Sequence, residues 1–412
     1  MMTFWLFLLV FTAIACGWLL GRFAGGSSAL PGGATAAYRQ YFRGLNYLLN
    51  DRPDEAIETF IETLEVNKET LETHLALGNL MRRNGDVERA IRIHQNLLAR
   101  PNLPPLQLQR ADLELARDYI SAGLYDRAER LLLDLVQRSE ELRATSLRHL
   151  VEIYQSERDW IKAIETATRL LPRRNFFLSA PDPDPVLDSA IAHFHCELAQ
   201  TAIDKGEFDG ARAHLRQALI RDPKCVRASL LEGMLEYRAG QFQSAIHALH
   251  RISAQNAMLL PEALDTLRAC YDALGIREQL ADYLRDQLAR FASTRLMLAI
   301  SEEIAHRDGH TAATDFLAQQ MRARPTLRGL AHWLSLKNDS RGAHSNHSEN
   351  TTVIADDDNQ TELLQGLLQK LLAGKPAYQC NHCGFSGRQL HWSCPRCKHW
   401  NTLQPIIGSE GD

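Results

Sequence analysis

A chain of 412 residues with 45% hydrophobic and 23% charged side chains and a formal charge of -4 excludes general disorder, and its length leaves room for two or three folded units. Forty-six Lys and Arg stand against fifty Asp and Glu, so there is no global excess of positive charge, as a protein built mainly to grip phosphate backbones would carry. Eight Cys are too few for a disulfide scaffold, and four of them, Cys380, Cys383, Cys394 and Cys397, fall within eighteen residues, which points to metal in a reducing compartment.

The first element in chain order is apolar. No charged residue stands between Met1 and Leu20, and as a helix this run spans about 30 Å, one hydrocarbon core. A cleaved signal peptide would carry a basic start and end its apolar run at the cleavage site, whereas no Lys or Arg precedes this run and its apolar character continues to Leu20. Ala13-Ile14-Ala15-Cys16 loosely resembles a lipoprotein processing site, but apolar residues continue beyond Cys16. The expectation is therefore a single transmembrane anchor over residues 1–21. Arg22, Arg39 and Arg43 follow it and nothing positive precedes it, which places the body of the protein in the cytoplasm. The Asn-x-Ser/Thr triplets at Asn338, Asn346, Asn350 and Asn359 lie in one polar stretch and are read as composition, not as glycosylation sites.

Periodicity organises the next three hundred residues. A small residue follows Gly by five positions at Gly85 and Ala90, Gly123 and Ala128, Gly206 and Ala211, and Gly240 and Ala245. The recurring positions Ala56, Ala90, Ala128, Ala163, Ala211 and Ala245 are separated by 34, 38, 35, 48 and 34 residues. Tetratricopeptide repeats have a period of 34 residues. A second small residue stands twelve positions earlier at Gly44, Gly78, Ala116, Ala199 and Gly233, and Pro223 closes one repeat. These registers predict pairs of antiparallel helices, about eight or nine repeats over residues 37–336, stacked into a superhelix with an extended concave face suited to holding another protein. The overall class is all-α.

The interval of 48 is explained by a loop insertion, Pro172 to Pro185, rich in Pro and Asp. Within the repeats there is no phosphate loop, dinucleotide fingerprint, zinc-protease helix or nucleophile elbow, so the expectation is a protein that is not an enzyme. His193 and His195-Cys196 are two or three apart on one helix and are read as packing or solvent-facing groups rather than ligands. His247 and His250 are read as a solvated face, and Cys196, Cys225 and Cys270 as small buried hydrophobes.

From Lys337 to Gln360 the chain is polar and reads as a mobile linker; His344 and His347 in it could bind metal only loosely. Leu363, Leu364, Leu367, Leu368, Leu371 and Leu372 then recur on one face of a helix over residues 361–374, stopped by Gly374 and Pro376. That face is expected to pack on the last repeat or on the segment that follows.

The last segment, residues 376–407, carries Cys380-Asn381-His382-Cys383-Gly384-Phe385 and Cys394-Pro395-Arg396-Cys397. Each Cys-x-x-Cys turn aims two sulfurs at one point, Gly384 permits the backbone conformation whose amides can face sulfur, and four thiolates in a tetrahedron select one zinc or one iron. A structural zinc ribbon, a redox-active rubredoxin site and a nucleic-acid knuckle all fit the spacing. Arg388, Arg396 and Lys398 are few for a phosphate footprint. Trp392, Trp400 and Tyr378 are expected to cover the site or to form a partner surface.

The anchor, the repeats and the terminal Cys-x-x-Cys-Gly-Phe with Cys-Pro-x-Cys, together with Ala76-Leu77-Gly78-Asn79-Leu80, Arg89-Ala90-Ile91-Arg92-Ile93-His94-Gln95 and Ile191-Ala192-His193-Phe194, resemble the lipopolysaccharide assembly protein B family of Gram-negative bacteria. The resemblance implies a single-pass inner-membrane adaptor that restrains lipopolysaccharide synthesis by promoting degradation of the LpxC deacetylase by the FtsH protease. It implies opposition by an inner-membrane, YejM-like sensor of lipopolysaccharide, and a rubredoxin-like module, with Cys380, Cys383, Cys394 and Cys397 as metal ligands, packed on the repeats. Lipopolysaccharide itself and a second copy of the chain are further possible partners, and no nucleic acid is expected. A membrane-tethered electron carrier of rubredoxin type, or a scaffold for synthesis or transport machinery, are the alternatives that the residues leave open.

Overall fold

The computed structural model describes residues 71–99, 104–171, 184–344 and 354–410, with scattered positions before Leu71. The expected anchor over Met1–Leu20 and the insertion from Pro172 to Pro183 lie outside the described residues. Among the described residues no helix is long and apolar enough to cross a membrane. The chain divides into two compact units, one ending at Ile153 and one beginning at Tyr154.

In the first unit, helices α1 (Leu71–Arg83), α2 (Val87–Leu98), α3 (Pro105–Ser121) and α4 (Tyr125–Arg138) pair in sequence order, and α5 (Glu140–Glu157) runs across the division. The Asp86 side chain caps α2 by accepting from the Arg89 amide, which satisfies one of the donors left open at a helix start. Pro105 opens α3 at a position where no backbone donor is needed. A fully buried carboxylate, Asp118, is held by Arg82 at 2.7 Å and by the His94 ring, so its charge is paired inside the core.

The second unit contains α6 (Trp160–Thr168), α7 (Pro185–Lys205), α8 (Phe208–Arg221), α9 (Val226–Arg238), α10 (Phe242–Asn256) and a 3-10 turn (Ala257–Ala263). It continues with α11 (Leu264–Ala273), α12 (Arg277–Arg290), α13 (Thr294–Asp308), α14 (His310–Ala323), α15 (Leu327–His344) and α16 (Ile354–Ala373). Gly206 ends α7 in the left-handed region with φ of 78°, a conformation glycine reaches without a Cβ penalty, and α8 turns back from it. Ala90, Ala128, Ala163, Ala211 and Ala245 are all fully buried, so the recurring small position marks where paired helices touch.

The other small position holds either Gly or Ala, and it is strict at Gly233. A Cβ on Gly233 would overlap the Leu249 side chain of the paired helix α10, and Leu249 is itself fully buried. Gly233→Ala should therefore destabilise the second unit by about 1–3 kcal/mol through overpacking, read as a lower urea midpoint at unchanged slope. A midpoint equal to the parent's would show that the helix pair has slack.

Three expectations change here. The polar stretch from Lys337 is helical as far as His344, and helix resumes at Ile354, ahead of the expected start at 361. The acidic run Asp356 to Asp358 therefore lies within the helix and not in a linker. Helix α16 does pack along α15, the last repeat helix, with Asn338 donating to Gln365 at 3.2 Å, but its leucine face is only partly covered, since Leu363, Leu364, Leu367 and Leu371 are each about half exposed or more. His250 is not on a solvated face either: its ring stacks on Tyr283 with centroids 3.9 Å apart.

The C-terminal module adds three short strands, β1 (Tyr378–Cys380), β2 (Ser386–Gly387) and β3 (Leu403–Pro405), in the antiparallel order β2-β1-β3. Its own core is only Tyr378, Cys380, Cys394 and Leu403 with a few half-buried neighbours.

Candidate metal centre

Two tight turns build the site. In the first, the Gly384 amide donates to the Cys380 carbonyl at 3.0 Å and the Cys380 amide to the Phe385 carbonyl at 2.7 Å. In the second, the Lys398 amide donates to the Cys394 carbonyl and the Cys394 amide to the His399 carbonyl, both at 2.9 Å. The residue after each second cysteine is left-handed, with φ of 73° at Gly384 and 61° at Lys398. The same turn is thus made twice, once with the permissive residue and once with lysine, where the conformation is strained. The glycine was a legible signal, but nothing in the sequence marked Lys398.

The turns bring all four thiols together. Cys380 Sγ lies 3.8 Å from Cys397 Sγ, Cys383 Sγ lies 3.6 Å from Cys394 Sγ, and all four atoms are within 4.8 Å of one another. A tetrahedron with metal–sulfur bonds of about 2.3 Å has edges of about 3.8 Å. The donor set therefore fits one zinc or iron ion, with Cys380, Cys383, Cys394 and Cys397 as the ligands that would hold it; when bound, the ion would cross-link the two turns. Burial opposes ionisation of Cys380, but Thr402 Oγ1, 3.3 Å from its sulfur, and the Cys383 and His382 amides bring the thiol down to about 6. Burial and the three neighbouring thiols push Cys397 up to about 12.

A second cluster, His382, Cys397 and His399, has ligand atoms equally close. Its imidazoles stack with centroids 3.9 Å apart and planes 21° apart, so their in-plane lone pairs run side by side instead of converging. His399 Nδ1 also sits 2.9 Å from the Cys397 carbonyl oxygen, and the cluster reads as a stacked lid beside the four-cysteine site.

Of the aromatic residues expected around the cysteines, Tyr378 does pack with Cys380 and Cys394, and Trp400 and Trp392 turn toward the helices. Trp400 stacks on His193 with centroids 5.0 Å apart and planes 17° apart, meets Phe194 and Trp160 edge-on, and donates from Nε1 to Gln155 at 3.3 Å. Trp392 lies 6.0 Å from the His193 ring. Tyr378 donates its hydroxyl to Glu262 and accepts from Arg295 at 3.0 Å, and burial, reinforced by Glu262, pushes it up to about 12. Asn256 donates to Gln404 at 3.0 Å, and the Leu327 and Arg328 amides donate to the carbonyls of Ser409 and Glu410. Gln155, Trp160, His193, Glu262 and Arg295 carried no sign of this role in the sequence, because their partners are more than eighty residues away.

His193 is the most constrained of these groups. It is fully buried, both ring nitrogens lack a hydrogen-bond partner, and burial with the nearby Arg227 charge holds it down to about 3. The ring acts as an uncharged flat surface for Trp400. His195, two residues on, faces another way and pairs with His214, so the two histidines do not share a site.

Helix pairs of repeat length, with a four-thiol knuckle module seated on the helices of its own unit, define a helical-repeat protein carrying a rubredoxin-like metal module. Family profiles agree: the tetratricopeptide repeat matches residues 73–106 and 196–263, and the rubredoxin metal binding domain matches residues 378–405. The chain belongs to the lipopolysaccharide assembly protein B family. It is 33% identical over 406 residues to lipopolysaccharide assembly protein B of Escherichia coli strain K12, covering 98% of this chain and 99% of that one. It is 31% identical over 420 residues to the Haemophilus influenzae protein of the same name, with 98% of each chain covered. Among solved structures, a tetratricopeptide repeat protein from Parabacteroides merdae aligns with 65% of this chain and 98% of its own at 13% identity, with a TM-score of 0.34.

Proposed function

We propose that this protein serves lipopolysaccharide assembly as an inner-membrane adaptor that presents the LpxC deacetylase to the FtsH protease and so restrains lipopolysaccharide synthesis. The observation that carries this reading is the near full-length relation to lipopolysaccharide assembly protein B. The anchor over Met1–Leu20 would hold the repeats beside a membrane protease, with the body in the cytoplasm. Bringing a soluble enzyme to that surface raises its effective concentration there, and adaptor function needs no chemistry of its own. The helix pairs supply surface for such a client, and the four-cysteine module, clamped through Trp400 and Tyr378, stiffens one part of the array. In this scheme a YejM-like membrane sensor of lipopolysaccharide opposes the adaptor.

The test is the half-life of LpxC after protein synthesis is blocked, in cells with and without this protein. A clear lengthening on its loss is the expected result. An unchanged half-life would overturn the adaptor and shift weight to a scaffold or to electron transfer.

A further inference from the structure

Cys196 and Cys225 take no part in the metal site. Cys196 lies midway along α7, and Cys225 stands at the N-cap of α9, the first helix of the next pair. Their sulfurs are 3.9 Å apart in a core of small side chains, Ala192, Ala199 and Ala228 among them, which lets helices of successive repeats come this close. Both cysteines are fully buried.

The two thiols differ in setting. Cys225 occupies an N-cap, where the open amides of the first helical turn favour a thiolate. The hydrogen bond from Cys196 is the largest cause that lowers Cys225, and the Ala228 amide adds to it against the cost of burial, while burial first and the same hydrogen bond second raise Cys196. Access differs as well. Pro223 and Lys224, just before Cys225, are exposed, so Cys225 is joined directly to a surface turn. Cys270 also lacks exposed surface, lies inside α11, and is pushed up to about 11 by burial.

We infer that Cys196 and Cys225 form a peroxide-responsive dithiol whose closure to a disulfide ties α7 to α9. The Cys225 thiolate attacks one oxygen of hydrogen peroxide, the O–O bond breaks, and the departing hydroxide takes the Cys196 proton to become water. The Cys196 thiolate then attacks the Cys225 sulfenic acid, the S–O bond breaks, and the departing hydroxide takes up the proton that Cys225 released to solvent on ionising, giving a second water. Two thiols give up two electrons, and peroxide accepts them. Closing 3.9 Å to a bond of about 2.05 Å asks for side-chain rotation and a small helix shift.

The experiment treats the full-length protein with hydrogen peroxide under native conditions, alkylates it, and digests it with trypsin without reduction. The expected product is the peptide 175–205 joined to the peptide 225–227, two hydrogens lighter than their sum and released by dithiothreitol. It should accumulate on the order of tenfold faster than Cys270 is modified, because the thiolate is the reacting form and burial keeps the Cys270 thiol protonated. In Cys196→Ser the link should vanish and Cys225 should be trapped by dimedone as sulfenic acid. Cys225 remaining reduced, or the link forming only as fast as Cys270 reacts, would overturn the inference. The parent protein's time course decides this even if the variant fails to fold.

Discussion

Stripping the ion from the four-cysteine site, or replacing Cys380 and Cys383 together by Ser, will unfold the C-terminal module and loosen the helices it sits on. A module whose own buried core is four residues cannot hold itself together without a cross-link. Structural zinc supplies on the order of 10 kcal/mol to such folds. The loss propagates because the second turn carries Cys394 and Cys397 at one end and Trp400 at the other, with Ser393 bridged to Trp400 across it. Once the turn relaxes, Trp400 leaves His193 and Phe194. Tryptophan emission should shift to the red, and the helical signal at 222 nm should melt at lower temperature. Emission and melting unchanged by a chelator that removes the metal would show that the module stands without it. Metal analysis of the same sample, colourless for zinc and red for ferric iron, identifies the ion.

Trp400→Ala is the second large effect, because it severs the clamp while leaving all four ligands in place. Removing a large aromatic from a packed site costs about 3–5 kcal/mol; Trp400 is part-exposed and should fall at the lower end. The pH dependence changes in a definite direction. His193 titrates at about 3 in the folded protein against 6.5 for an ordinary histidine, so below pH 6.5 the unfolded chain binds a proton that the folded chain refuses. Stability is therefore lost as pH falls from 6.5 toward 3, at up to about 1.4 kcal/mol per pH unit from this one group. In Trp400→Ala the ring meets water, its folded value climbs back toward 6.5, and this share of the acid loss should shrink. Parallel stability–pH curves for parent and variant would sink this account of the His193 contact.

The sequence was most readable where the physics is local. The spacing of Ala90, Ala128, Ala211 and Ala245 announced helix pairs because a small residue recurs wherever two helices of a repeat touch, and those positions are fully buried. The cysteine pairs announced a metal site because each Cys-x-x-Cys turn closes over four residues, and its geometry needs nothing from elsewhere in the chain. Helix ends were less legible: Asp356 to Asp358 looked like linker by polarity and proved to lie within a helix, since polarity alone does not separate a solvated helix from a linker.

What only the tertiary structure decided is where the module rests and which side chains hold it. Residue types fixed Trp400 and Tyr378 as large amphipathic groups that seek cover, but whether they shield the thiols or grip a helix depends on which apolar surface lies nearest. For Trp400 that surface is made by His193, Phe194 and Trp160 from α6 and α7, with Gln155 of α5 accepting its indole N–H, while Tyr378 packs with the thiols and reaches Glu262 and Arg295 with its hydroxyl. The meeting of Cys196 with Cys225 was hidden in the same way, because two helices of successive repeats must stack before residues 29 positions apart can touch. Local periodicity determines which elements form, whereas contacts between distant segments are selected by the packing of complete surfaces, which no short stretch of sequence contains.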